Sequence, residues 1–431
     1  MLLAYAQGGG TYTGLEAVSN NVNVLAEPRV KTGQLTMLYM AASLAFTAGG
    51  IIMLYLLWEA RPLEGQTLNA IAFGAVLKDM GFDTPLAHQG ALLVVLALEA
   101  GLLFVAANTG FLGGPAVLAN MAADSWVPHK FRYLSTRLVT ENGIVVMGAA
   151  ALAILLWSAG SVTLLVVLYS ISVFLTFAVS LFGLCNYWWR HRGERGWLAR
   201  LALSGAGFVV CAGILGLLVF ERFAQGGWAA ILIIGILVAL CVLVRRHYEF
   251  TKAQIRRVDA QFENVPFGSQ AAPAKLAPEA PTAAFMVGSS RGGGLHALLW
   301  VQRMFPGVFR NFVFINARAV DAHSYGGAED MEAMKVEANV ALKFFENFCR
   351  SHGMASRSYL LFGTDPIEGF VELAERVRQD FPQAIFFTSK LIFENDNFFL
   401  RLLHNQAALV LQQRLHLGGM QMVILPMKVR V

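Results

Sequence analysis

The chain has 431 residues, of which 56% are hydrophobic and 14% charged, with a mean hydropathy of +0.55 and a formal net charge of +5. Water-soluble domains carry about a quarter charged residues, so the composition excludes a wholly soluble protein and makes lipid the solvent for much of the chain. The basic excess does not signal nucleic-acid binding, because Lys and Arg cluster beside apolar runs, where membrane topology puts them.

Taken in chain order, the opening segment from Met1 to about Val22 is apolar but interrupted by Gly8-Gly9-Gly10. No basic stretch precedes Leu2-Leu3-Ala4-Tyr5, so no cleavable signal peptide is expected. Further stretches approach the roughly 20 apolar residues of a spanning helix. They are Leu35–Trp58, Gly90–Ala107 (continuing to Ala123), Ile144–Ala159, Val162–Trp189, Leu201–Phe220 and Gly227–Val244. Arg29 and Lys31, then Lys130, Arg132 and Arg137, then Arg190, Arg192, Arg195 and Arg200 fall in alternate connections, and Arg245, Arg246, Lys252, Arg256 and Arg257 follow the last span. The positive-inside rule assigns these to the cytoplasm. Trp58, Trp126, Trp157, Trp188, Trp189 and Trp228 sit near span ends, as an interfacial aromatic belt would. Cys185, Cys211 and Cys241 read as small buried hydrophobes rather than a disulfide or zinc framework.

Past Val244 the character changes. Arg245–Asn264 reads as a basic cytoplasmic helix and Phe267–Ala284 as an Ala/Pro linker. The expected organisation is therefore a membrane-spanning domain at 1–244, a basic helix and linker at 245–284, and a soluble domain at 285–431. In that last part, strands at Ala284–Val287, Asn311–Asn316, Ser358–Phe362, Ala384–Phe387 and Met420–Leu425 alternate with helices at Leu295–Met304, Ala328–His352, Ile367–Phe381 and Asn397–Leu417. Such alternation implies a parallel sheet covered on both faces.

The opening motif is Gln7-Gly8-Gly9-Gly10-Thr11-Tyr12-Thr13-Gly14-Leu15-Glu16-Ala17-Val18-Ser19-Asn20. Glycines among polar oxygens at membrane depth expose main-chain groups, which is tolerated where they line a wet cavity or are buried in protein. Discontinuous helices build substrate sites in transporters; close helix packing through small residues is the competing reading. Glu16 and Glu99 are acids within or beside spans. An ionisable group there is a functional candidate by default, here for proton coupling, with a structural hydrogen-bonded acid as the alternative.

The run TGLEAVSN resembles the sixth helix of amino acid–polyamine–cation permeases, closest to the Kup- and KimA-type potassium importers. Ala107-Asn108-Thr109-Gly110-Phe111, with Trp126-Val127-Pro128 downstream, is similar to the eighth helix and the loop after it. Leu168-Tyr169-Ser170-Ile171-Ser172-Val173-Phe174-Leu175-Thr176-Phe177 resembles the tenth helix of the potassium importers. The resemblance implies a partial broken-helix permease fold, helices six to twelve, with the first five absent, so that the chain as written is expected not to transport alone. It implies a substrate site at Gly10, Thr11, Thr13, Tyr169 and Ser170. A hydroxyl-rich wall can replace a potassium ion's hydration oxygens and can equally hold an amino acid. Ser170 and Ser172 also have a plainer role, bonding to their own helix backbone.

In the soluble part, Val287-Gly288-Ser289-Ser290-Arg291-Gly292-Gly293-Gly294 opens a helix after the first strand, so Gly288, Ser289, Ser290 and Gly292 form a candidate anion or nucleotide site. It is neither GxGxxG nor a P-loop. The domain resembles the universal-stress-protein fold, whose glycine-rich loop follows the fourth strand, where this sequence has Thr388-Ser389-Lys390-Leu391-Ile392-Phe393. His323, His352, His404 and His416 are too dispersed for a metal site, and no nucleophile–base set suggests an enzyme.

The reading is a secondary active importer of an amino acid or potassium ion in the inner (plasma) membrane, with a cytoplasmic C-terminal domain and no cofactor beyond a proton gradient. The expected partners are the lipid bilayer, the solute, a nucleotide at the C-terminal domain and a second copy of the chain; nucleic acid is not expected. A membrane-tethered nucleotide sensor and an inactive permease remnant are the alternatives.

Overall fold

Helix length in this chain follows the spacing of its polar interruptions. The computed structural model describes residues 18, 25–63, 65–82, 84–135, 137–262, 274–288, 290–320, 328–392 and 407–428. Two compact units emerge, one from 1–117 with 144–239, the other from 118–143 with 240–431.

The first unit is helical. Helix α1 (Arg29–Leu57) is followed by a short α2 (Leu68–Asp79), a 39-residue α3 (Pro85–Ala123), α4 (Glu141–Trp157), α5 (Val162–Arg190), α6 (Trp197–Arg222) and α7 (Gly227–Gln261). Four stretches, α1, α3, α5 and the run Trp197–Ala260 through α6 and α7, are long and apolar enough to cross a membrane. α4 is apolar but shorter, at 17 residues. Phe46 of α1 is 85% exposed and Phe104 of α3 76%. Side chains of that size standing bare along whole helices belong in lipid or against other apolar surface, which marks a membrane protein.

Within this unit, Val167, Ile171 and Phe174 of α5 pack with Ile214 and Leu218 of α6 and Ala230 of α7. The turn between α6 and α7 needs glycine at 226, which takes φ +111°, and an added Cβ there would lie 2.2 Å from Leu164 Cδ1. Two sequence expectations change. α2 occupies the connection between the first two expected spans, where no helix is expected, because its 12 residues are too few to register as a span. The basic stretch from Arg245 is not a separate helix but the continuation of α7, since no proline and, past Gly235, no glycine interrupts Gly227–Gln261.

The second unit is built on a five-stranded all-parallel sheet: β1 (Thr282–Met286), β2 (Asn311–Ala319), β3 (Ala355–Gly363), β4 (Ala384–Ile392) and β5 (Gln421–Lys428). The order is β3-β2-β1-β4-β5, which differs from the flavodoxin-like 2-1-3-4-5. Helices α8 (Arg291–Met304), α9 (Ala328–Ser351), α10 (Pro366–Asp380) and α11 (Ala407–Leu417) connect the strands. Residues 393–406 of the longer helix expected before Leu417 lie outside the described residues. Both faces of the sheet are apolar, as parallel strands require. On one, Phe285 stacks with Phe314 and Phe387 at 5.5 and 5.7 Å, backed by Leu295 and Leu298 of α8 and Phe345 of α9. On the other, Val313, Ile315 and Phe386 meet Leu373 and Val377 of α10 and Leu411 and Leu415 of α11.

The Ala/Pro segment ends sooner than its composition implies. Asn311 at the head of β2 donates to the Ala277 carbonyl (2.7 Å) and the Thr282 hydroxyl (2.8 Å) and accepts from the Ala277 amide (2.9 Å). One buried amide thus fixes the chain ahead of β1.

The glycine run that opens α8 is a packing device at its third member. A Cβ on Gly294 would lie 2.5 Å from Phe345 Cζ and 3.0 Å from Val287 Cγ1. Gly294→Ala is therefore expected to destabilise the sheet domain by about 1–3 kcal/mol. Gly288→Ala, with no atom within 4 Å of the added carbon, should change it by less than about 0.5 kcal/mol. Denaturant titration followed by amide exchange in β1 and β2 checks both.

Candidate functional site

Among the acids, Glu99 sits in α3, where a carboxylate needs donors from its neighbours. It is half-buried, and Asn69 of α2 donates its Nδ2 to Glu99 Oε1 at 2.5 Å. The same Asn69 accepts, through Oδ1, a hydrogen bond from the Tyr55 hydroxyl of α1. The chain runs one way, from phenol to amide to carboxylate, and it ties three helices together. Both ends of the Asn69 amide are committed, so its orientation is fixed by its partners. α2 has two further attachments: His88 Nε2 of α3 lies 2.9 Å from the Gly74 carbonyl, and Trp58 Nε1 donates to Asp79 Oδ2 at 2.7 Å. Thr67 caps the helix by accepting from the Ala70 amide at 3.2 Å. Neither Tyr55 nor Asn69 carries a sequence signal; an asparagine in a connection too short to span is unremarkable until its fold is known.

Tyr169 and Ser170 do not form a shared wall. Adjacent residues on a helix diverge by about 100°, and Tyr169 stands exposed while Ser170 turns inward, 2% exposed, beside the packed Ile171 and Phe174. Tyr169 lines a cavity of about 520 Å³ with Ile154, Val166, Ser172, Ala230 and Ile234. The Ser172 hydroxyl donates to the Leu168 carbonyl of its own helix at 2.8 Å. The described lining is thus apolar apart from Tyr169 and Ser172. Gly10, Thr11, Thr13 and Glu16 lie outside the described residues.

The second unit holds the candidate anion site. Ser290 caps α8, its hydroxyl accepting from the Gly293 amide at 3.2 Å. The expected anion is already supplied by the chain itself. Asp259, near the end of α7, accepts from the Gly292 amide at 2.7 Å and from the Ser290 hydroxyl at 2.8 Å, both on Oδ1. A carboxylate is favoured there because the first amides of a helix are unpaired and carry the positive end of its dipole. A Cβ on Gly292 would come within 2.8 Å of that oxygen and 3.0 Å of Asp259 Cα, so this glycine admits α7. Gly288 is exposed at the end of β1, and Ser289 lies outside the described residues. A crevice of about 360 Å³ opens beside them, at the carboxyl ends of β1 and β4, lined by Ser290, Gly293, Thr388, Ser389 and Met427. This is where the strand order reverses, the usual ligand position in such sheets.

The end of α7 is held along one face. Gln254, Val258 and Asp259 recur at helical spacing; Val258 packs on Met427, and Phe262 joins the same cluster. Nearer the start of this stretch, the segment after α3 docks on it. Arg245 lies over the Trp126 ring at 4.1 Å, and the His129 and Tyr248 rings stack at 4.1 Å. The His129 amide donates to the Tyr248 hydroxyl at 3.4 Å, and its Nε2 lies 3.1 Å from the Ser125 hydroxyl. Burial first, and then the nearby Arg132 charge, push the His129 imidazole down to about 4. The Cys349 thiol in α9 is pushed up to about 12, mainly by burial, and behaves as a small hydrophobe. Among the described residues no group of three or more His, Cys, Asp or Glu side chains is placed to hold a metal.

No family model matches the chain. It is similar to the potassium transporter KimA of Bacillus subtilis (strain 168), with 26% identity over 265 residues, which is 62% of this chain. The chain spans 42% of the length of that curated relative.

The depressed His129 value makes docking of the 125–133 segment pH-dependent. Released, the imidazole takes a proton near pH 6.5; docked, only near 4. Docking is therefore at full strength above about pH 6.5 and weakens as pH falls towards 4. Amide exchange across residues 126–133 should rise over that interval, and His129→Phe, which keeps a ring against Tyr248 but cannot titrate, should flatten the response.

Proposed function

We propose that the chain forms part of a secondary active transporter that imports potassium ions, coupled to proton entry. The single observation that carries this reading is its similarity to a protein described as a potassium transporter. The helices long and apolar enough to span a bilayer are consistent with it. The proposed mechanism is alternating access of the broken-helix, amino acid–polyamine–cation type, with Gly10, Thr11 and Thr13, together with Tyr169 of α5, supplying oxygen ligands.

A potassium ion entering from water gives up hydration oxygens, and hydroxyl and carbonyl oxygens can substitute for them. The described cavity beside Tyr169 is poor in such groups, so most of the proposed coordination falls to residues 10–13 rather than to α5. Ser170, turned into the helix packing, is assigned to structure and not to the ion. Glu99 is the proposed coupling acid. It stands half-buried in α3 and accepts a hydrogen bond from Asn69 of α2. The Lys and Arg bias orients the α1–α2–α3 connection outward and the sheet domain towards the cytoplasm of the inner membrane.

The test is growth. In cells lacking potassium uptake, the full-length gene carrying this segment should restore growth at limiting potassium and should not relieve amino acid auxotrophy. Glu99→Gln should leave protein levels intact and remove the stimulation of uptake by external acid. Rescue of amino acid uptake alone would overturn the potassium assignment, and undiminished acid stimulation in Glu99→Gln would overturn the role of Glu99.

A further inference from the structure

We propose that the corner between α5 and α6, where two adjacent tryptophans each carry an arginine, is a docking site for the headgroup of an anionic membrane lipid. The proposal depends on neither the transport reading nor the identity of the solute.

The corner is strongly basic. Residues 190–200 hold Arg190, Arg192, Arg195 and Arg200 against a single acid, Glu194, and all five side chains belong to exposed residues. Glu194 lies 3.7 Å from Arg200, and an ion pair so open to water neutralises little. Positive charge at the end of a span is ordinary in a membrane protein. Guanidiniums held on ring faces are not, because topology does not require them.

The Arg192 guanidinium lies over the Trp189 ring at 4.0 Å, and that of Arg200 over the Trp188 ring at 4.7 Å. Arg192 Nε also donates to the Trp189 carbonyl at 3.0 Å. Held by its face and by Nε, this guanidinium keeps its two Nη groups for an acceptor, and such a fork can meet two phosphate oxygens at once. A loose arginine loses side-chain freedom on binding; here the tryptophans have already removed part of it.

Apolar surface beside the arginines favours a lipid over a soluble phosphate. Leu184 of α5 and Leu198 and Leu203 of α6 stand exposed on helices apolar enough to cross a bilayer. Acyl chains would cover these leucines while the headgroup meets the guanidiniums; a free phosphate would leave them bare. A zwitterionic headgroup would bring its own ammonium against the arginines, so the lipid that fits carries net negative charge.

Native mass spectrometry tests this on the full-length gene product, stripped of lipid in detergent and then offered phosphatidylglycerol or phosphatidylcholine of the same chain length. The wild type should retain phosphatidylglycerol about tenfold more tightly. Arg192→Gln should weaken that retention about fivefold. Trp189→Leu keeps every charge and removes only the ring under Arg192, and should weaken it by a similar factor. Arg246→Gln, which removes an exposed arginine outside the corner, should leave retention unchanged, and inorganic phosphate should not displace the lipid. Equal retention of the two lipids, an equal loss in Arg246→Gln and Arg192→Gln, full retention in Trp189→Leu, or displacement by inorganic phosphate would each overturn the proposal.

Discussion

A carboxylate set into an apolar helix has to be given its donors by neighbouring helices, and the answer to that demand organises the first unit. Glu99 draws Asn69 towards α3, and Asn69 in turn fixes Tyr55 of α1. In α2 only Ala72 is fully buried, with Leu68, Ile71, Phe73, Val76 and Leu77 half-buried around it. Packing holds α5, α6 and α7 together through Ile171, Phe174 and Leu218; the α1–α2–α3 region depends on polar pairing instead.

The second unit meets the same demand from the other side. There the unpaired amides at the start of α8 need an acceptor, and α7 delivers Asp259. Asp259 lies near the end of α7, which runs from Gly227 to Gln261, and accepts from the Ser290 hydroxyl as well. The glycines at 292 and 294 then have separate structural reasons, one admitting Asp259 and the other Phe345. A ligand at the crevice beside β1 and β4 would meet a helix terminus with two of its amides, those of Gly292 and Gly293, already satisfied.

Much of the architecture could be read directly from residue order. The strands appear where Phe, Val and Ile runs such as Phe312–Ile315 are bounded by turns, and the long helices appear where polar residues are missing. The sheet order could not be read, because all its strands look alike in composition and pairing is set by connections across the fold. The short helix α2 was hidden for a different reason. Its apolar stretch is too brief to span, and its importance lies in Asn69, whose partners are 14 residues upstream and 30 downstream. Asp259 was masked by its surroundings: Arg256 and Arg257 make the segment read as a basic surface, while the acid that matters points into the domain. Glu99 could be found, because a charge in an apolar run stands out, but its donors could not. Tyr169 and Ser170 look equivalent as adjacent hydroxyls, and only helix geometry separates the cavity-lining one from the buried one.

The most direct measurement is potassium flux into vesicles reconstituted with the full-length gene product, driven by an imposed inward proton gradient at fixed membrane potential. Potassium should accumulate against its own gradient, and collapse of the proton gradient should stop it. Potassium entry indifferent to the proton gradient, or its absence alongside gradient-driven entry of an amino acid, would contradict the account.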